Sequence, residues 1–509
     1  MAKYTDLQVN QQREIGAFIL RLRETRGITQ KELAEALKTS QSAVARMEAG
    51  EQNFTTEMLA KISGALNREI VKVADSRTMS FQIEGGHKLN GTIATKIAKN
   101  SAVALLCASL LNRNKTTLKH MPRIAEVDRI IEVLQSIGVT ATWLPDNDLE
   151  LIPPKKLALS RMNEASASAT RSVLMLMGPL VHKFQDFTLP HPGGCKLGKR
   201  TVRPHFFALE KLGVDIVTKR GIHIVHVNKL KPAEIVLYES GDTVTENALM
   251  TAALIPGKTV IKYASANYQV QDMCHFLEVL GVKIEGIGTT TLMVHGVKEI
   301  DTAITFYPSE DPIESMMFIS LAATTNSSII IERCPIDFLE LELLKLEKMG
   351  WRYKILKRYK SANGYANLVD IQTLPSKLVA LEEKIDARPY PGLNIDNLPF
   401  FVPIATQAKG TTLIHDWVYE NRVIYYMDLA KLGANILLAD PHRVYIEGPT
   451  ELKGTDVVCP PALRPAVIIL IAMLAAKGVS TLRNVYSINR GYEDLCNRLN
   501  KLGAKIKII

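Results

Sequence analysis

Residues 191–200, His-Pro-Gly-Gly-Cys-Lys-Leu-Gly-Lys-Arg, have the composition of a reactive-cysteine loop. Three glycines make the backbone pliant, and Lys196, Lys199 and Arg200 surround Cys195 with positive charge. Positive charge favours the thiolate, which is the reactive form of cysteine. A loop cysteine beside basic residues can also lack a function, but the other cysteines lie in apolar or helical stretches and are predicted to be core residues: Cys107, Cys274, Cys334, Cys459 and Cys496.

The elements that would position this loop repeat along the chain. An apolar helical segment ends in a glycine and is followed by a β-like run, six times between residues 133 and 508. Glycine just after a helix supplies the left-handed turn that ends it. We therefore predict six αβ units that bury their apolar faces against one another. The glycines are Gly138, Gly213, Gly281, Gly350, Gly433 and Gly503.

Residues 1–70 have the pattern of a small helix bundle. Thr29 and Glu32 form a capping box that begins a short helix. Thr39 and Ser40 form a turn and cap a second helix over residues 41–48. Two short helices joined by a tight polar turn predict a helix-turn-helix. The predicted inward-facing residues are Ile15, Phe18, Ile19, Leu22, Leu33, Ala34, Leu37, Val44, Met47, Leu59, Ile62 and Leu66.

Residues 15–53 of this bundle resemble the Cro/repressor-type DNA-binding family. The second helix of that family enters the major groove of DNA. The alternative is a protein-interaction bundle that does not bind DNA, because residues 1–75 carry eleven basic and ten acidic residues, a balance of only +1. The resemblance implies that the residues facing base edges or phosphates are Gln41, Ser42, Ala45 and Arg46.

Length and composition predict a globular protein of two to four domains, since 509 residues exceed one ordinary domain. The polar N-terminus lacks a signal-peptide pattern, and the longest apolar run, residues 466–476, is too short to span a bilayer, so we expect a buried helix there and a cytoplasmic protein without membrane contact. Neither a disulfide framework nor a metal or cofactor is expected. Of the net charge of +10, residues 76–509 carry +9, which suits anionic small ligands or nucleic acid.

Eight strings in the large body resemble the UDP-N-acetylglucosamine enolpyruvyl transferase family, and they follow the order of that family. The resemblance implies an α/β fold, an inverse α/β barrel of two lobes with three repeats each. It implies a helix-turn-helix domain over 1–72, a linker over 73–80, lobe one over 81–98 plus 309–509, and lobe two, with the Cys195 loop, over 99–308. The strings are IAKNSAVALLCASLL (97–111), GPLVHKF (178–184), LPHPGGCKLGKRTVRPH (189–205), TENALMTAAL (245–254), ARPYPGLNID (387–396), YENR (419–422), ALRPA (462–466) and INRGYE (488–493).

The resemblance also assigns catalytic roles. Cys195 matches the mobile-loop cysteine, a proposed proton donor to the enol carbon and the residue that fosfomycin alkylates in the family. Asp396 matches the carboxylate that deprotonates the sugar 3-hydroxyl, and Lys99 matches the lysine that contacts phosphoenolpyruvate. Adding an alcohol to an enol ether needs one group to accept the hydroxyl proton and another to protonate the methylene carbon.

Binding roles follow in the same way. Arg200 and Arg464 match the arginines that hold the phosphate and the carboxylate, and His205 matches a histidine beside the nucleotide. Taken singly, Lys99 and Arg422 could be solvated helix-end charges, Arg464 a helix cap and Asp396 a turn residue. The other matched binding residues are the sugar-binding Asn100, the basic cleft residues Arg171 and Arg422, and Gly241 of the diphosphate segment.

Three segments on the nucleotide side depart from the family pattern. Residues 201–203 are Thr-Val-Arg where the family has Pro-Val-Asp, which reverses a charge beside the base. Residues 239–243 are Glu-Ser-Gly-Asp-Thr in place of Ser-Val-Gly-Ala-Thr, and residues 266–269 are Ala-Asn-Tyr-Gln in place of Arg-Glu-Pro-Glu. The chemistry on the pyruvyl side is therefore better matched than the acceptor side.

The sequence thus predicts transfer of the enolpyruvyl group of phosphoenolpyruvate to the 3-hydroxyl of UDP-N-acetylglucosamine, with release of phosphate and a fused DNA-binding domain. A different nucleotide sugar or alcohol is one alternative. Another is a transcriptional regulator whose body senses a sugar nucleotide, although Cys195 and Asp396, which a sensor does not need, favour catalysis. The DNA target and the oligomeric state, a homodimer included, stay open.

Overall fold

The computed structural model describes residues 28–52, 79–193 and 201–509, with scattered positions between residues 12 and 65. The chain divides into two compact units, Met1–Thr78 and Met79–Ile509. No helix in these described ranges is both long and apolar enough to cross a membrane. Predicted features that lie outside the described residues are Phe18, Leu22, Leu59, Leu66, most of the linker, Cys195 and Arg200.

The first unit contains the two predicted short helices, Gln30–Leu37 and Gln41–Glu48. The capping box is present, because the Thr29 hydroxyl accepts the Glu32 N–H at 3.2 Å and the Glu32 carboxylate accepts the Thr29 N–H at 2.7 Å. The Ser40 hydroxyl caps the second helix by accepting the Ala43 N–H at 3.2 Å. Local polar spacing therefore fixes where both helices begin.

The buried side of these helices forms a small core. The same unit contains a buried ion pair, in which the Arg23 Nε lies 2.5 Å from the Glu48 carboxylate. Gln30 donates to the same carboxylate at 2.9 Å. Predicted inward-facing residues in this core are Ile19, Leu33, Ala34, Val44, Met47 and Ile62.

The second unit, the body, consists of helices and mixed sheets. Its described 3₁₀-helices are Ser109–Leu111, Pro145–Asn147, Leu159–Arg161, Arg171–Leu176, Ile336–Phe338, Leu398–Phe400 and Val423–Leu432. Its described α-helices are Lys99–Ala108, Ala125–Ser136, Glu164–Ala169, Met177–Leu180, Arg203–Glu210, Asp242–Ala253, Tyr268–Val279, Pro312–Thr324, Glu340–Lys348, Phe401–Ala405, Leu463–Ala475, Tyr486–Asn489 and Leu495–Lys501.

In the part of the body that the structure describes, the strands form six small sheets. In chain order they are β1 (Phe81–Gly85), β2 (Asn90–Ala94), β3 (Thr116–Leu118), β4 (Thr140–Trp143), β5 (Leu149–Ile152), β6 (Asp186–Pro190), β7 (Val214–Lys219), β8 (Ile222–Val227), β9 (Glu234–Val236), β10 (Gly257–Lys262), β11 (Lys283–Glu285), β12 (Thr291–Gly296), β13 (Ile304–Phe306), β14 (Ser328–Pro335), β15 (Arg352–Lys360), β16 (Asn367–Leu374), β17 (Ile385–Asp386), β18 (Gly410–His415), β19 (Asn435–Asp440), β20 (Arg443–Gly448), β21 (Asp456–Val458), β22 (Gly478–Arg483) and β23 (Lys505–Ile508).

Five of these sheets share one topology. Their strand orders are β13-β3-β5-β4, β9-β10-β12-β11, β2-β14-β16-β15, β17-β18-β20-β19 and β21-β22-β1-β23. In each, the first pair is parallel and the next two pairs are antiparallel. The sixth sheet, β6-β8-β7, contains the antiparallel pairs alone in the described residues. A shared topology is the structural counterpart of the sequence repeat.

The six repeat glycines have the predicted conformation. Each follows a helix and precedes a strand, and their φ angles lie between 83° and 105°. An L side chain is strained at such φ values, so glycine is the residue that ends these helices without penalty. The helix before Gly433, Val423–Leu432, differs from the others because it is 3₁₀ rather than α.

Two hydrophobic cores divide the body, and we call their surroundings lobe one and lobe two. The core of lobe one joins Phe81–Ala98 and Tyr268 with residues after 312, and the core of lobe two is built from residues between 102 and 306. Each lobe has helices that are buried on all sides, with the sheets outside them. The Leu463–Ala475 helix contains all but the last residue of the predicted buried apolar run, residues 466–476. The lobe boundaries given from sequence stay a prediction.

Candidate active site

The N-terminal ends of the central helices bring together most of the predicted site residues. Lys99 and Asn100 begin one helix of lobe two, and Asp242 begins another directly after Gly241. In lobe one, Asp311 caps the Pro312–Thr324 helix and Arg464 is the second residue of Leu463–Ala475. Helix N-termini carry partial positive charge, so this arrangement favours anionic ligands.

Asp396 lies between two arginines of lobe one. Its Oδ2 is 3.2 Å from Arg464 Nη2, and its Oδ1 is 3.9 Å from Arg422 Nη1. Burial raises the pKa of the Asp396 carboxyl, but the charges of Arg464, Arg422 and Lys99 outweigh burial and hold that pKa below its usual value. Asp396 is therefore ionised at neutral pH and faces positive charge from both lobes.

Arg422 is only 1% exposed, so it is not the solvated helix-end charge that the sequence left open. Its Nε lies 2.5 Å from the Asp416 carboxylate and its Nη2 donates to the Ile395 carbonyl at 2.8 Å. Tyr426 donates to the same Asp416 oxygen at 2.8 Å. These bonds fix the guanidinium group beside Asp396, as a buried charge requires.

Arg464 is buried as well and joins three acidic or phenolic groups. Its Nη1 donates to the Tyr492 hydroxyl at 2.8 Å, while its Nη2 faces Asp396. Burial lowers the pKa of Arg464, but Tyr492, Asp396 and Asp311 outweigh burial and raise it. The helix-cap role that the sequence left open does not account for these side-chain contacts.

A second carboxylate, Glu126, lies within electrostatic reach of Lys99, and the sequence did not single it out. Arg490 of lobe one donates to Glu126 of lobe two at 2.7 Å, and the Thr170 hydroxyl also donates to it. Burial raises the pKa of Glu126, but Lys99 and Arg490 lower it to about 2. Arg490 lies within the string INRGYE, so that string was an available signal for Arg490 but not for its partner Glu126.

Two of the departing segments contact each other beside the cleft. Asp242 accepts hydrogen bonds from the Ser265 hydroxyl at 2.5 Å and from the Asn267 amide at 3.1 Å. Gln269 donates to buried Glu246 at 3.3 Å. Burial and the charge of Asp396 raise the pKa of Asp242 above its usual value. The changes in residues 239–243 and 266–269 are thus one connected rearrangement.

The remaining predicted residues make other contacts or fall outside the described residues. His205 is buried in lobe two, where its ring nitrogens lie 2.8 Å from the Asn247 amide and 3.4 Å from the Thr243 hydroxyl. Arg171 donates to the Thr201 carbonyl at 2.8 Å, and so holds the chain where it leaves the Cys195 loop. Exposed Arg203 lies over the Phe207 ring, 5.2 Å from its centroid. Cys195 and Arg200 themselves fall outside the described residues.

In the first unit, the predicted DNA-facing residues lie on one side of the Gln41–Glu48 helix. Gln41, Ser42 and Arg46 are exposed and Ala45 is partly exposed, whereas Ala43, Val44 and Met47 are buried. The Ser42 hydroxyl lies 2.9 Å from that of Ser40. The outer face therefore presents an amide, a hydroxyl and a guanidinium group.

Comparison with known proteins defines the class. Residues 83–499 match the family described as EPSP synthase (3-phosphoshikimate 1-carboxyvinyltransferase), and residues 19–73 match a helix-turn-helix family. The chain belongs to the enolpyruvyl transferase family, and it carries an N-terminal helix-turn-helix domain.

Two relatives within that family carry the same name. The UDP-N-acetylglucosamine 1-carboxyvinyltransferase of Bradyrhizobium diazoefficiens is 34% identical over 429 residues, which cover 84% of this chain and 98% of the relative. That of Borrelia garinii is 35% identical over 430 residues, with the same coverage of 84% and 98%. The chain is an enolpyruvyl transferase by class of activity.

Solved structures agree on the fold. The enolpyruvyl transferase NikO from Streptomyces tendae has a TM-score of 0.73 at 23% identity and covers 85% of this chain and 99% of its own. EPSP synthase from Acinetobacter baumannii has a TM-score of 0.68 at 17% identity, with coverage of 85% and 100%. The two-lobed α/β architecture that the family resemblance implied is thereby confirmed.

Asp311 adds a pH dependence that can be measured. It accepts the Ile313 N–H at 2.8 Å, and burial raises its pKa from 3.8 to about 6 although Arg464 opposes the rise. A carboxyl that binds its proton more tightly in the folded chain stabilises the fold at low pH, and that contribution is lost as pH rises from 3.8 to about 6. A difference of two pKa units corresponds to about 3 kcal/mol at most.

We therefore expect Asp311→Asn to lose less stability than wild type over this pH range. Asn can still cap the helix, so the free energy of unfolding in urea should fall between pH 4 and pH 6 less steeply in the variant than in wild type. Exposed Asp301→Asn serves as the control and should follow wild type. Identical pH profiles for wild type and Asp311→Asn would contradict the assignment.

Proposed function

We propose that the body transfers the enolpyruvyl group of phosphoenolpyruvate to the 3-hydroxyl of UDP-N-acetylglucosamine and releases phosphate, a step of peptidoglycan precursor synthesis. The observation that carries this proposal is an ionised Asp396 held between Arg464 and Arg422 and influenced by Lys99. The relatives at 34% and 35% identity carry the name of that activity, and the chain covers 98% of each.

The donor side is suited to an anion with a phosphate and a carboxylate. Lys99 at a helix N-terminus and Arg464 near another supply positive charge from opposite lobes. Planar guanidinium groups bind both phosphate and carboxylate through paired hydrogen bonds. As phosphate leaves, these cations stabilise the negative charge that collects on it.

Asp396 is proposed to accept the proton of the acceptor hydroxyl. A carboxylate whose pKa is held low by cations is a weak base. An anionic donor bound to Arg464 and Lys99 offsets their charge, so it raises the pKa of Asp396 and strengthens it as a base. The donor should therefore bind before the hydroxyl loses its proton.

Cys195 is proposed as the proton donor to the enol carbon. The other five cysteines are buried, and burial raises the pKa of Cys334 and of Cys459 to about 12, so these thiols are unreactive at neutral pH. We expect fosfomycin to form a single adduct at Cys195, with more labelling when UDP-N-acetylglucosamine is present. Peptide mass spectrometry checks this, and Cys195→Ser should remove the adduct. Equal labelling of several cysteines would argue against an activated Cys195.

Product analysis tests the proposed reaction. Incubation with phosphoenolpyruvate and UDP-N-acetylglucosamine should yield the sugar nucleotide with an enolpyruvyl ether at its 3-position, identified by mass spectrometry and NMR. A panel of other nucleotide sugars under the same conditions tests the alternative acceptor. Turnover of another sugar in preference to UDP-N-acetylglucosamine would replace the acceptor but keep the chemistry.

The first unit is proposed to bind DNA through the Gln41–Glu48 helix. The exposed side chains of Gln41 and Arg46 support this, because Gln and Arg make paired hydrogen bonds to adenine and guanine edges. Coupling of DNA binding to ligand binding in the body would make the chain a regulator as well as an enzyme. Retention of DNA that changes with the sugar nucleotide would support that second role.

Arg46→Ala and Gln41→Ala should each weaken binding to the upstream DNA of the encoding gene by about tenfold or more, since a paired base contact is worth about 1–3 kcal/mol. Binding should be measured at physiological salt against random DNA of equal length, because phosphate contacts dominate at low salt. Lys61→Ala, outside that helix, is the control. Wild type that binds upstream DNA no better than random DNA would overturn sequence-specific recognition.

A further inference from the structure

Tyr268 joins the two lobes beside the candidate active site. It begins the Tyr268–Val279 helix, and the helix otherwise packs in the core of lobe two. Its own ring belongs to the core of lobe one, where it packs edge-on against Phe338 with ring centroids 5.9 Å apart. Tyr268 is 1% exposed, so its hydroxyl needs a partner inside the protein.

That partner is Asn100, which begins a helix of lobe two. The Asn100 side-chain amide donates to the Tyr268 hydroxyl with an N···O distance of 3.3 Å. An amide held through its nitrogen presents its carbonyl oxygen on the other side. A carbonyl oxygen can only accept, so a ligand that meets it must offer a hydroxyl or an N–H group.

The contact lies within electrostatic reach of the groups proposed to react. Burial raises the pKa of Tyr268, and the charges of Asp311, Asp396 and Asp242 raise it further, so the phenol remains neutral. Asp396 and Arg464 thus lie within electrostatic reach of the Tyr268 hydroxyl. The orientation of Asn100 is set within the same cluster as the proposed base.

Neighbouring contacts fix Tyr268 in place. Asn267 caps the helix by accepting the Tyr268 N–H at 2.9 Å. Four residues after Tyr268, Asp272 accepts the Ser309 N–H at 3.0 Å and the Ser309 hydroxyl at 2.6 Å. Both ends of the first helical turn are therefore held, which fixes the backbone from which the Tyr268 ring extends.

We infer that Tyr268 is a positioning residue that selects the acceptor: it holds the Asn100 amide so that the Asn100 carbonyl oxygen receives a hydrogen bond from a hydroxyl or N–H next to the reacting hydroxyl of the acceptor. This inference rests on the proposed function, because it concerns the acceptor of that reaction. It assigns a role to a side chain in one of the segments that depart from the family pattern.

Tyr268→Phe tests this role, since it keeps the ring and removes the hydroxyl. We expect the KM for UDP-N-acetylglucosamine to rise about tenfold, the KM for phosphoenolpyruvate to change less than twofold, and the Tm to stay near that of wild type. Asn100→Ala should raise the same KM at least as much, and Tyr268→Phe should add little in the Asn100→Ala background, because Tyr268 acts only through Asn100. Tyr390→Phe is the matched control, since the Tyr390 ring packs on Phe338 at 5.2 Å but its hydroxyl donates to the Asp337 carbonyl.

Three results would overturn the inference. An unchanged acceptor KM in Tyr268→Phe is the first, and a parallel change of both KM values with a lower Tm, which indicates packing alone, is the second. If wild type shows no turnover, the proposed function fails separately, and the variants are then compared by thermal shift with a panel of nucleotide sugars. The third result belongs to that comparison. It is equal stabilisation of wild type and Tyr268→Phe by every sugar that binds, or no stabilisation by any sugar.

Discussion

Asp396→Asn should lower kcat by about 10³-fold, within the 10²–10⁴-fold range that a general base contributes. The amide cannot accept a proton from the acceptor hydroxyl, yet it keeps the size of the carboxylate. Phosphoenolpyruvate should bind at least as tightly as in wild type, because removing the carboxylate frees Arg464 and Arg422 to hold the anion. Steady-state kinetics gives kcat, and calorimetry gives the affinity for phosphoenolpyruvate.

Asp440→Asn is the matched control for that variant. Asp440 also pairs with an arginine of lobe one, at 2.6 Å from Arg443, but the Arg443 side chain is exposed to solvent. Its substitution should leave kcat within twofold of wild type, since exposed ion pairs contribute little. An Asp396→Asn variant with more than a tenth of the wild-type kcat would show that Asp396 is not the base.

Arg464→Lys should lower kcat/KM for phosphoenolpyruvate about 100-fold. Lysine keeps the charge, but a single ammonium group cannot donate to Tyr492 and face Asp396 as the guanidinium group does. Arg464→Ala should in addition lower the free energy of unfolding by about 3–5 kcal/mol, because it leaves partly buried Asp396 and buried Asp311 without this partner. Kinetics and urea unfolding measure the two effects.

Arg483→Lys provides the comparison for Arg464→Lys. Arg483 pairs with Asp456 at 2.8 Å, but both side chains are exposed. The control should retain wild-type kinetics and stability. If Arg464→Lys matches the control in kcat/KM, the anion is held by other groups and the assignment of Arg464 is wrong.

The fold was largely predictable from the sequence because its determinants are local. The capping box at Thr29 and the glycines after the repeat helices each act over a few residues, and the structure has both. Repetition strengthened the prediction of a repeat-built α/β body, since one αβ unit is ambiguous and six at similar spacing are not. The 3₁₀ form of Val423–Leu432 was not predictable, because the apolar spacing there predicts a helix without distinguishing 3₁₀ from α.

The candidate site was predictable only in part, because its contacts join distant residues. Lys99, Asn100, Asp396, Arg422 and Arg464 could be named since each lies in a motif string, and the structure brings them together. The bond between Arg490 and Glu126 spans 364 residues and that between Asn100 and Tyr268 spans 168, and no local pattern encodes such pairs. The roles of all these residues stay predictions.

The departing segments illustrate the same limit. In the sequence, Asp242 puts a negative charge in the segment where the family binds a diphosphate, which is itself negative. In the structure, Ser265 and Asn267 hydrogen-bond to it, and Asn267 belongs to another departing segment. Only the fold shows that the two changes meet, so the altered acceptor side is a coordinated rearrangement rather than a set of independent losses.

Release of phosphate from phosphoenolpyruvate is the most direct measurement of the proposed reaction. Wild-type protein should release phosphate only when phosphoenolpyruvate and UDP-N-acetylglucosamine are both present, in a one-to-one ratio with the enolpyruvyl product, and Asp396→Asn should release almost none. Wild-type protein that binds both ligands by calorimetry but releases no phosphate would contradict catalysis and leave the body as a ligand sensor.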